Sequence, residues 1–134
     1  MTYLLDTNTC IYIINKKPAP VIKRIRTKQP EEVAISTITI AELEYGVAGS
    51  KFPDRNRAAL MEFLLPFTIL EFDQTAALFY GIIRSHLDSL GKPIGSMDML
   101  LAAQAQSRNL TMVTNNESEF KRVEGLLIEN WVQR

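Results

Sequence analysis

The chain has 134 residues, 46% hydrophobic and 22% charged, which fits one folded domain spanning residues 1–134. Its 15 basic and 15 acidic residues cancel, so the overall charge does not indicate a nucleic-acid-binding protein. No apolar run approaches the roughly 20 residues needed to span a bilayer, and no basic signal-peptide start precedes the first apolar run. With a single Cys10 and a single His86, neither an internal disulfide nor the usual zinc shell is expected, and we predict a cytoplasmic protein without a membrane partner.

The first half of the chain is predicted to alternate short strands with helices. Apolar runs predict strands at 2–5 and 33–36. Capping residues and prolines set the predicted helix bounds, with Asn8 as the cap of the first helix. The predicted helices cover residues 9–15, 20–27, 37–49 and 54–65.

The second half continues the alternation. We predict strands at 68–72, 110–114 and 126–128, and helices at 73–90, 96–107 and 117–122, with Ser96 as the cap of the helix at 96–107. The apolar positions of the two longer helices are expected to face inward, Leu90 and Met97 among them. Strands alternating with helices predict an α/β fold, a parallel sheet of about five strands with helices on both faces.

Acidic residues lie next to the ends of several predicted strands. Asp6 ends the first strand, and Glu42 lies one turn into the helix that follows the second. Glu117 and Glu119 follow the fourth strand, and Asp98 lies in the first turn of the helix before it. Because the carboxyl ends of parallel strands meet at one edge of the sheet, we expect these acids to gather there.

Carboxylates beside buried apolar residues need a neutralising partner, either a basic side chain or a metal ion. Oxygen ligands without His or Cys favour Mg²⁺ or Mn²⁺, which can activate a water and hold a phosphodiester. Each acid also has a simpler interpretation. Asp6 can be a turn or capping residue, Glu42 an exposed helix acid, and Asp98 an acid favoured by the helix dipole.

Basic residues are concentrated near the N-terminus. Residues 1–30 hold six Lys and Arg against one acid. Within this segment Lys23, Arg24 and Arg26 are candidates for contacts with the phosphates of an RNA. The same residues can equally form the solvated face of a helix.

Four stretches of the sequence together resemble one known family. They are LLDTNTCIY at 4–12, ISTITIAELEYG at 35–46, GKPIGSMDMLLAAQAQSRNLTMVTNNESEF at 91–120 and LLIENW at 126–131. The DTN triplet is weakly specific by itself, but the four stretches in this order span nearly the whole chain. The sequence resembles the PIN-domain ribonuclease toxins of the VapC (virulence-associated protein C) type, from bacterial type II toxin–antitoxin pairs.

The resemblance implies a flavodoxin-like PIN fold and an Mg²⁺-dependent endoribonuclease, with Mn²⁺ as a substitute ion. It implies RNA as the substrate, with structured tRNA, and initiator tRNA in particular, as the specific expectation, and inhibition of translation as the outcome. It also implies a small VapB-type antitoxin as partner, a homodimer, and a toxin–antitoxin hetero-oligomer.

The resemblance assigns site residues position by position. Asp6, Glu42 and Asp98 match the three metal-binding acids of the family. Asn8 matches a polar residue of the site, and Thr114 matches a hydroxyl that orients carboxylates. The chain departs from many relatives at Asn116, where they carry Asp, and the branch with this motif uses a later acid, here Glu119. Whether Glu119 or Asn116 completes the site stays open.

Two other classes of protein share part of this pattern. A receiver-type signalling domain also binds Mg²⁺ at strand ends, but it needs an acidic pair after the first strand, where this chain has only Asp6. A catalytically silent PIN module that only binds RNA or protein is the second alternative. Such modules usually lack some of the acids that this chain retains.

Overall fold

The computed structural model describes residues 1–133, and its centre is one five-stranded sheet. The strands are β1 (Tyr3–Leu5), β2 (Val33–Ser36), β3 (Thr68–Leu70), β4 (Thr111–Val113) and β5 (Ile128–Glu129). They lie in the order β3-β2-β1-β4-β5, and every neighbouring pair is parallel. The predicted α/β class and parallel five-stranded sheet are therefore confirmed.

Helices connect the strands within the described residues, close to the predicted positions. They are α1 (Thr7–Ile14), α2 (Ala19–Arg26), α3 (Thr37–Ala48), α4 (Pro53–Leu64), α5 (Gln74–Ser89), α6 (Ser96–Ser107) and α7 (Glu117–Phe120), with a 3₁₀ turn at Pro30–Glu32. None of these helices is long and apolar enough to cross a membrane.

The core lies in two layers, one on each face of the sheet. Successive strand residues point to opposite faces, so Leu4 packs with α5 and α6 while Leu5 packs with α1 to α4. Met112 and Val113 of β4 divide between the two layers in the same way. The helices therefore cover both faces, as the strand–helix alternation predicts.

Two predicted helix caps and two predicted core residues are wrong. Asp6, not Asn8, caps α1, because its carboxylate already accepts from a backbone N–H of the first turn. Gly95 stands at the cap of α6, so Ser96 is the first helical residue. Leu90 is 52% exposed because it ends α5, and Met97 is 38% exposed in the first turn of α6. The periodic spacing of apolar residues along a helix does not reveal where that helix leaves the core.

The sheet brings separate segments to one edge. Leu5, Val113 and Glu129 are in register at the carboxyl ends of β1, β4 and β5. Asp6 follows Leu5 and Thr114 follows Val113, so both lie just beyond that edge. This edge is where the predicted acidic site should lie.

Candidate metal centre

Asp6 is held rigidly at the end of β1. It is 4% exposed, and its Oδ1 accepts a hydrogen bond from the backbone N–H of Thr9 at 2.8 Å. Burial raises the pKa of the Asp6 carboxyl, while hydrogen bonds from Thr114 and Thr9 act against this and nearby Glu42 raises it further. The fixed carboxylate therefore carries its charge at a cost that a bound cation would relieve.

Glu42 comes to Asp6 from the second turn of α3. Its Oε1 accepts a hydrogen bond from the Thr7 hydroxyl at 2.6 Å, in a partly buried position. Glu42 contributes to the raised pKa of the carboxyl groups of both Asp6 and Asp98. Glu42 is therefore near enough to both acids to act on them electrostatically, and its hydrogen bond with Thr7 has no signal in the sequence.

Asp98, in the first turn of α6, completes the convergence. The pKa of its carboxyl group is raised to about 7, first by partial burial and then by the negative charge of Glu119. A hydrogen bond between the carboxyl groups of Asp98 and Glu119, which needs a proton, adds to the rise, as do Asp6 and Glu42. Three carboxylates from three other segments of the chain therefore act on that of Asp98.

Glu119 is anchored by two amide groups. The backbone N–H of Gly95 donates to its Oε1 at 3.3 Å, and the side-chain amide of Asn116 donates to its Oε2. The loop before α6 is held from the same side, because the Arg122 guanidinium donates to the Pro93 carbonyl at 2.8 Å. Asn116 and Glu119 are thus partners in one arrangement rather than alternative occupants of one position.

The remaining predicted site residues differ in placement. Thr114 is fully buried, lies against Asp6, and its Oγ1 accepts from the Asn116 N–H at 2.9 Å. Asn8 is exposed, and its side chain makes no hydrogen bond within residues 1–133. Glu117 accepts from the Asn130 side-chain amide at 3.2 Å and is not among the acids that raise the pKa of Asp98 or Asp6. Thr114 therefore adjoins Asp6, whereas the Asn8 side chain forms no hydrogen bond with any of the four acids.

The chemistry of this cluster fits a hard divalent cation. All of its charged donors are carboxylate oxygens, and none of the ion pairs within residues 1–133 involves Asp6, Glu42, Asp98 or Glu119. No three acidic, His or Cys side chains in that range already stand at the spacing of a coordination shell. The charges of Glu119, Asp6 and Glu42 nevertheless contribute to the raised pKa of the Asp98 carboxyl, which indicates that these acids lie near it.

The basic residues near the N-terminus differ in their exposure and in their partners. Lys23 and Arg26 are exposed on α2. Arg24 instead pairs with Glu129 at 3.1 Å, which offsets its charge at the carboxyl edge of the sheet. The Lys28 ammonium lies 4.7 Å from the centre of the Tyr3 ring and donates to the Tyr3 hydroxyl.

Comparison with known proteins identifies the fold. The PIN domain family matches residues 3–126. The chain belongs to the PIN-domain family. Within it the VapC ribonucleases are close relatives: the chain is 42% identical over 132 residues to "Ribonuclease VapC2" of Rickettsia felis, covering 98% of both proteins. It is equally 42% identical over 131 residues to the "tRNA(fMet)-specific endonuclease VapC" of Shigella flexneri, with the same coverage.

Several solved structures that are similar to this chain are VapBC complexes. VapBC2 from Rickettsia felis, bound to a DNA fragment from its promoter, matches with a TM-score of 0.91 and 41% identity. The match covers 98% of this chain and 99% of that one. The resemblance seen in the sequence is confirmed, and the receiver-domain alternative is excluded by the family match.

Proposed function

We propose that residues 1–134 act as one PIN domain that is an endoribonuclease toxin dependent on Mg²⁺, with Mn²⁺ as a substitute. The observation that carries this proposal is the gathering of four carboxylates, uncompensated by basic side chains within residues 1–133, at the carboxyl edge of the sheet. A catalytically silent PIN module has no need of such a cluster, which disfavours the remaining alternative. The names of the VapC relatives supply the reaction class.

In this proposal Asp6, Glu42 and Asp98 hold the ion, and Glu119 adds negative charge beside Asp98. When bound, a divalent ion neutralises charge on the phosphodiester and makes a water more acidic. Thr9 and Thr114 fix the Asp6 carboxylate, and Asn116 and Gly95 fix that of Glu119. This anchoring lets the protein present preformed charge to the substrate.

The proposed substrate is tRNA, and initiator tRNA in particular. The support is similarity to two enzymes named tRNA(fMet)-specific endonuclease, at 42% identity for Shigella flexneri and 40% for Salmonella typhimurium. Cleavage of that RNA would stop translation at initiation. The partners that we propose are a VapB-type antitoxin and a second copy of the chain, since the related solved structures are VapBC complexes.

The test is cleavage by the purified chain with controlled metal content. Total tRNA is incubated with protein in EDTA, then with added Mg²⁺, Mn²⁺ or Zn²⁺, and new RNA ends are sequenced. We expect no cleavage in EDTA, recovery with Mg²⁺ and Mn²⁺ but poor recovery with Zn²⁺, and ends concentrated in one tRNA. Equal cleavage in thoroughly chelated buffer, or by the Asp6→Asn variant, would refute the proposal.

A further inference from the structure

Thr7 connects two segments that the sequence keeps far apart. It is the first residue of α1, and its hydroxyl donates to Oε1 of Glu42 on α3 at 2.6 Å. The two residues are 35 positions apart, and the bond is partly buried. A hydroxyl–carboxylate bond of this length is a strong, charge-assisted interaction.

The bond is not needed to start the helix. Asp6 caps α1 through the backbone N–H of Thr9, and that bond is independent of the Thr7 side chain. Thr9 likewise uses its own hydroxyl to donate to the Val113 carbonyl at 3.2 Å. The Thr7 hydroxyl is thus left with one partner within residues 1–133, the Glu42 carboxylate.

Glu42 needs such a partner to stay at the site. A glutamate side chain has three rotatable bonds, and the charges of Asp6 and Asp98 repel its carboxylate. No basic side chain within residues 1–133 forms an ion pair with it. Because a carboxylate has about four lone-pair positions, one hydroxyl on Oε1 still leaves Oε2 able to bind a cation.

We propose that Thr7 is a positioning residue that holds the Glu42 carboxylate in its ion-binding orientation against repulsion from Asp6 and Asp98. This inference rests on the proposed function, because it assumes that Glu42 binds the divalent ion. The role belongs to the hydroxyl group and not to the size of the side chain. Serine should therefore replace Thr7, whereas the isosteric valine should not.

The direct test is calorimetric titration of Mn²⁺ into metal-free protein, which reports binding without RNA cleavage. Thr7→Val should weaken Mn²⁺ binding by about tenfold, the usual loss when a hydrogen bond to a metal ligand is removed. Thr7→Ser should stay close to the unsubstituted chain. Thr75→Val is the matched control, because Thr75 lies in the first turn of α5, is exposed, and makes no side-chain hydrogen bond within residues 1–133.

A double-mutant cycle tests whether Thr7 acts through Glu42. Glu42→Gln alone should weaken Mn²⁺ binding, and adding Thr7→Val to it should cause little further loss. If Thr7→Val weakens Mn²⁺ binding in the Glu42→Gln variant as much as it does in the unsubstituted chain, the proposal is overturned. Circular dichroism and thermal unfolding check the fold of each variant, and Thr7→Ala, which also removes the hydroxyl, replaces Thr7→Val if the latter does not fold.

The outcomes separate this inference from the proposed function. If the unsubstituted chain binds Mn²⁺ and cleaves RNA, but Thr7→Val keeps full Mn²⁺ affinity, the role of Thr7 alone is refuted. If the unsubstituted chain neither binds Mn²⁺ nor cleaves RNA, the proposed function fails and the role of Thr7 fails with it. The positioning role is established if Thr7→Val weakens Mn²⁺ binding tenfold while Thr7→Ser does not. In the Glu42→Gln background, the effect of Thr7→Val must also disappear.

Discussion

The side-chain amide of Asn116 donates a hydrogen bond to Oε2 of Glu119, three residues further along the chain. Glu119 is at the same time bonded by the N–H of Gly95 and raises the pKa of the Asp98 carboxyl. Asn116 brings no charge of its own, yet it orients a carboxylate beside Asp98. An Asp at this position would supply the charge directly, whereas in the proposed site the charge comes from Glu119, with Asn116 as its hydrogen-bonding support.

This relationship predicts linked effects at the two positions. Glu119→Gln should raise the Mg²⁺ concentration for half-maximal RNA cleavage, because it removes a negative charge beside the ion. Asn116→Ala should shift the same quantity in the same direction but less, since Glu119 keeps its charge and its bond to Gly95. Saturating Mg²⁺ should restore part of the activity of both variants. The measurement is a Mg²⁺ titration of the initial cleavage rate.

Glu117→Gln is the matched control for this titration. Glu117 lies in the same helix as Glu119, but its carboxylate accepts from Asn130 and is not among the groups that raise the pKa of Asp98. Its Mg²⁺ requirement should stay unchanged. A shift for Glu117→Gln without one for Glu119→Gln would show that the wrong acid has been assigned to the site.

Local patterns in the sequence were sufficient to predict the sheet and the acids, but not the bonds that hold the acids in place. Strand positions follow from short apolar runs, and topology then carries Asp6 and Glu42 to one edge. The bond from Thr7 to Glu42 spans 35 residues, and no local pattern encodes it. The cap of α1 was misassigned because Asp6 and Asn8 are both favourable capping residues, and only the position of the chain after β1 selects Asp6.

Removing one carboxylate charge should abolish most cleavage while the fold survives. Asp6→Asn and Asp98→Asn should each lower the cleavage rate by at least about a hundredfold, because each removes charge from the ion-binding cluster. Asparagine also caps helices well, so Asp6→Asn should leave α1 intact. Initial rates on tRNA measure the effect, with circular dichroism as the check on folding.

Asp88→Asn is the corresponding control, because Asp88 is an exposed acid on α5, away from the cluster. It should retain the full cleavage rate. If Asp6→Asn remains fully active after contaminating nucleases are excluded, the assignment of the site is wrong.

The basic residues of α2 should contribute to RNA binding through Lys23 and Arg26 rather than Arg24. Arg24 is already paired with Glu129, so reversing its charge would also break this ion pair. Reversing Lys23 and Arg26 to Glu should weaken RNA binding and flatten its dependence on salt, by about 0.7 in the log–log slope for each lost phosphate contact. Filter binding at several salt concentrations measures the slope.

The same reversal at Arg84 and Arg108 provides a control of equal charge, since both are exposed and lie on α5 and at the end of α6. That pair should change the slope less. If reversal of Lys23 and Arg26 leaves the salt slope identical to that of the unsubstituted chain, these residues belong to an ordinary solvated helix face.

The raised pKa of Asp98 predicts how the stability of the metal-free chain depends on pH. Its carboxyl titrates near pH 7 in the folded chain but near its ordinary value of 3.8 when unfolded. Between these values the folded chain binds a proton that the unfolded chain does not, so this group's contribution to stability falls as pH rises from 4 to 7. Above pH 7 the charged form is left among Glu119, Asp6 and Glu42, and it destabilises the fold.

Asp98→Asn should therefore raise the melting temperature in EDTA at pH 8 by a few degrees, and the gain should shrink towards pH 4, where the Asp98 carboxyl of the folded chain keeps its proton. Saturating Mg²⁺ at pH 8 should reverse the order, because the ion stabilises only the chain that binds it well. Asp88→Asn should show neither effect, since Asp88 is exposed and outside the cluster. Differential scanning calorimetry at pH 4, 6 and 8, with and without Mg²⁺, measures all of these differences. A chain that is more stable with Asp98 than with Asn at pH 8 in EDTA would show that the four carboxylates do not repel one another as described.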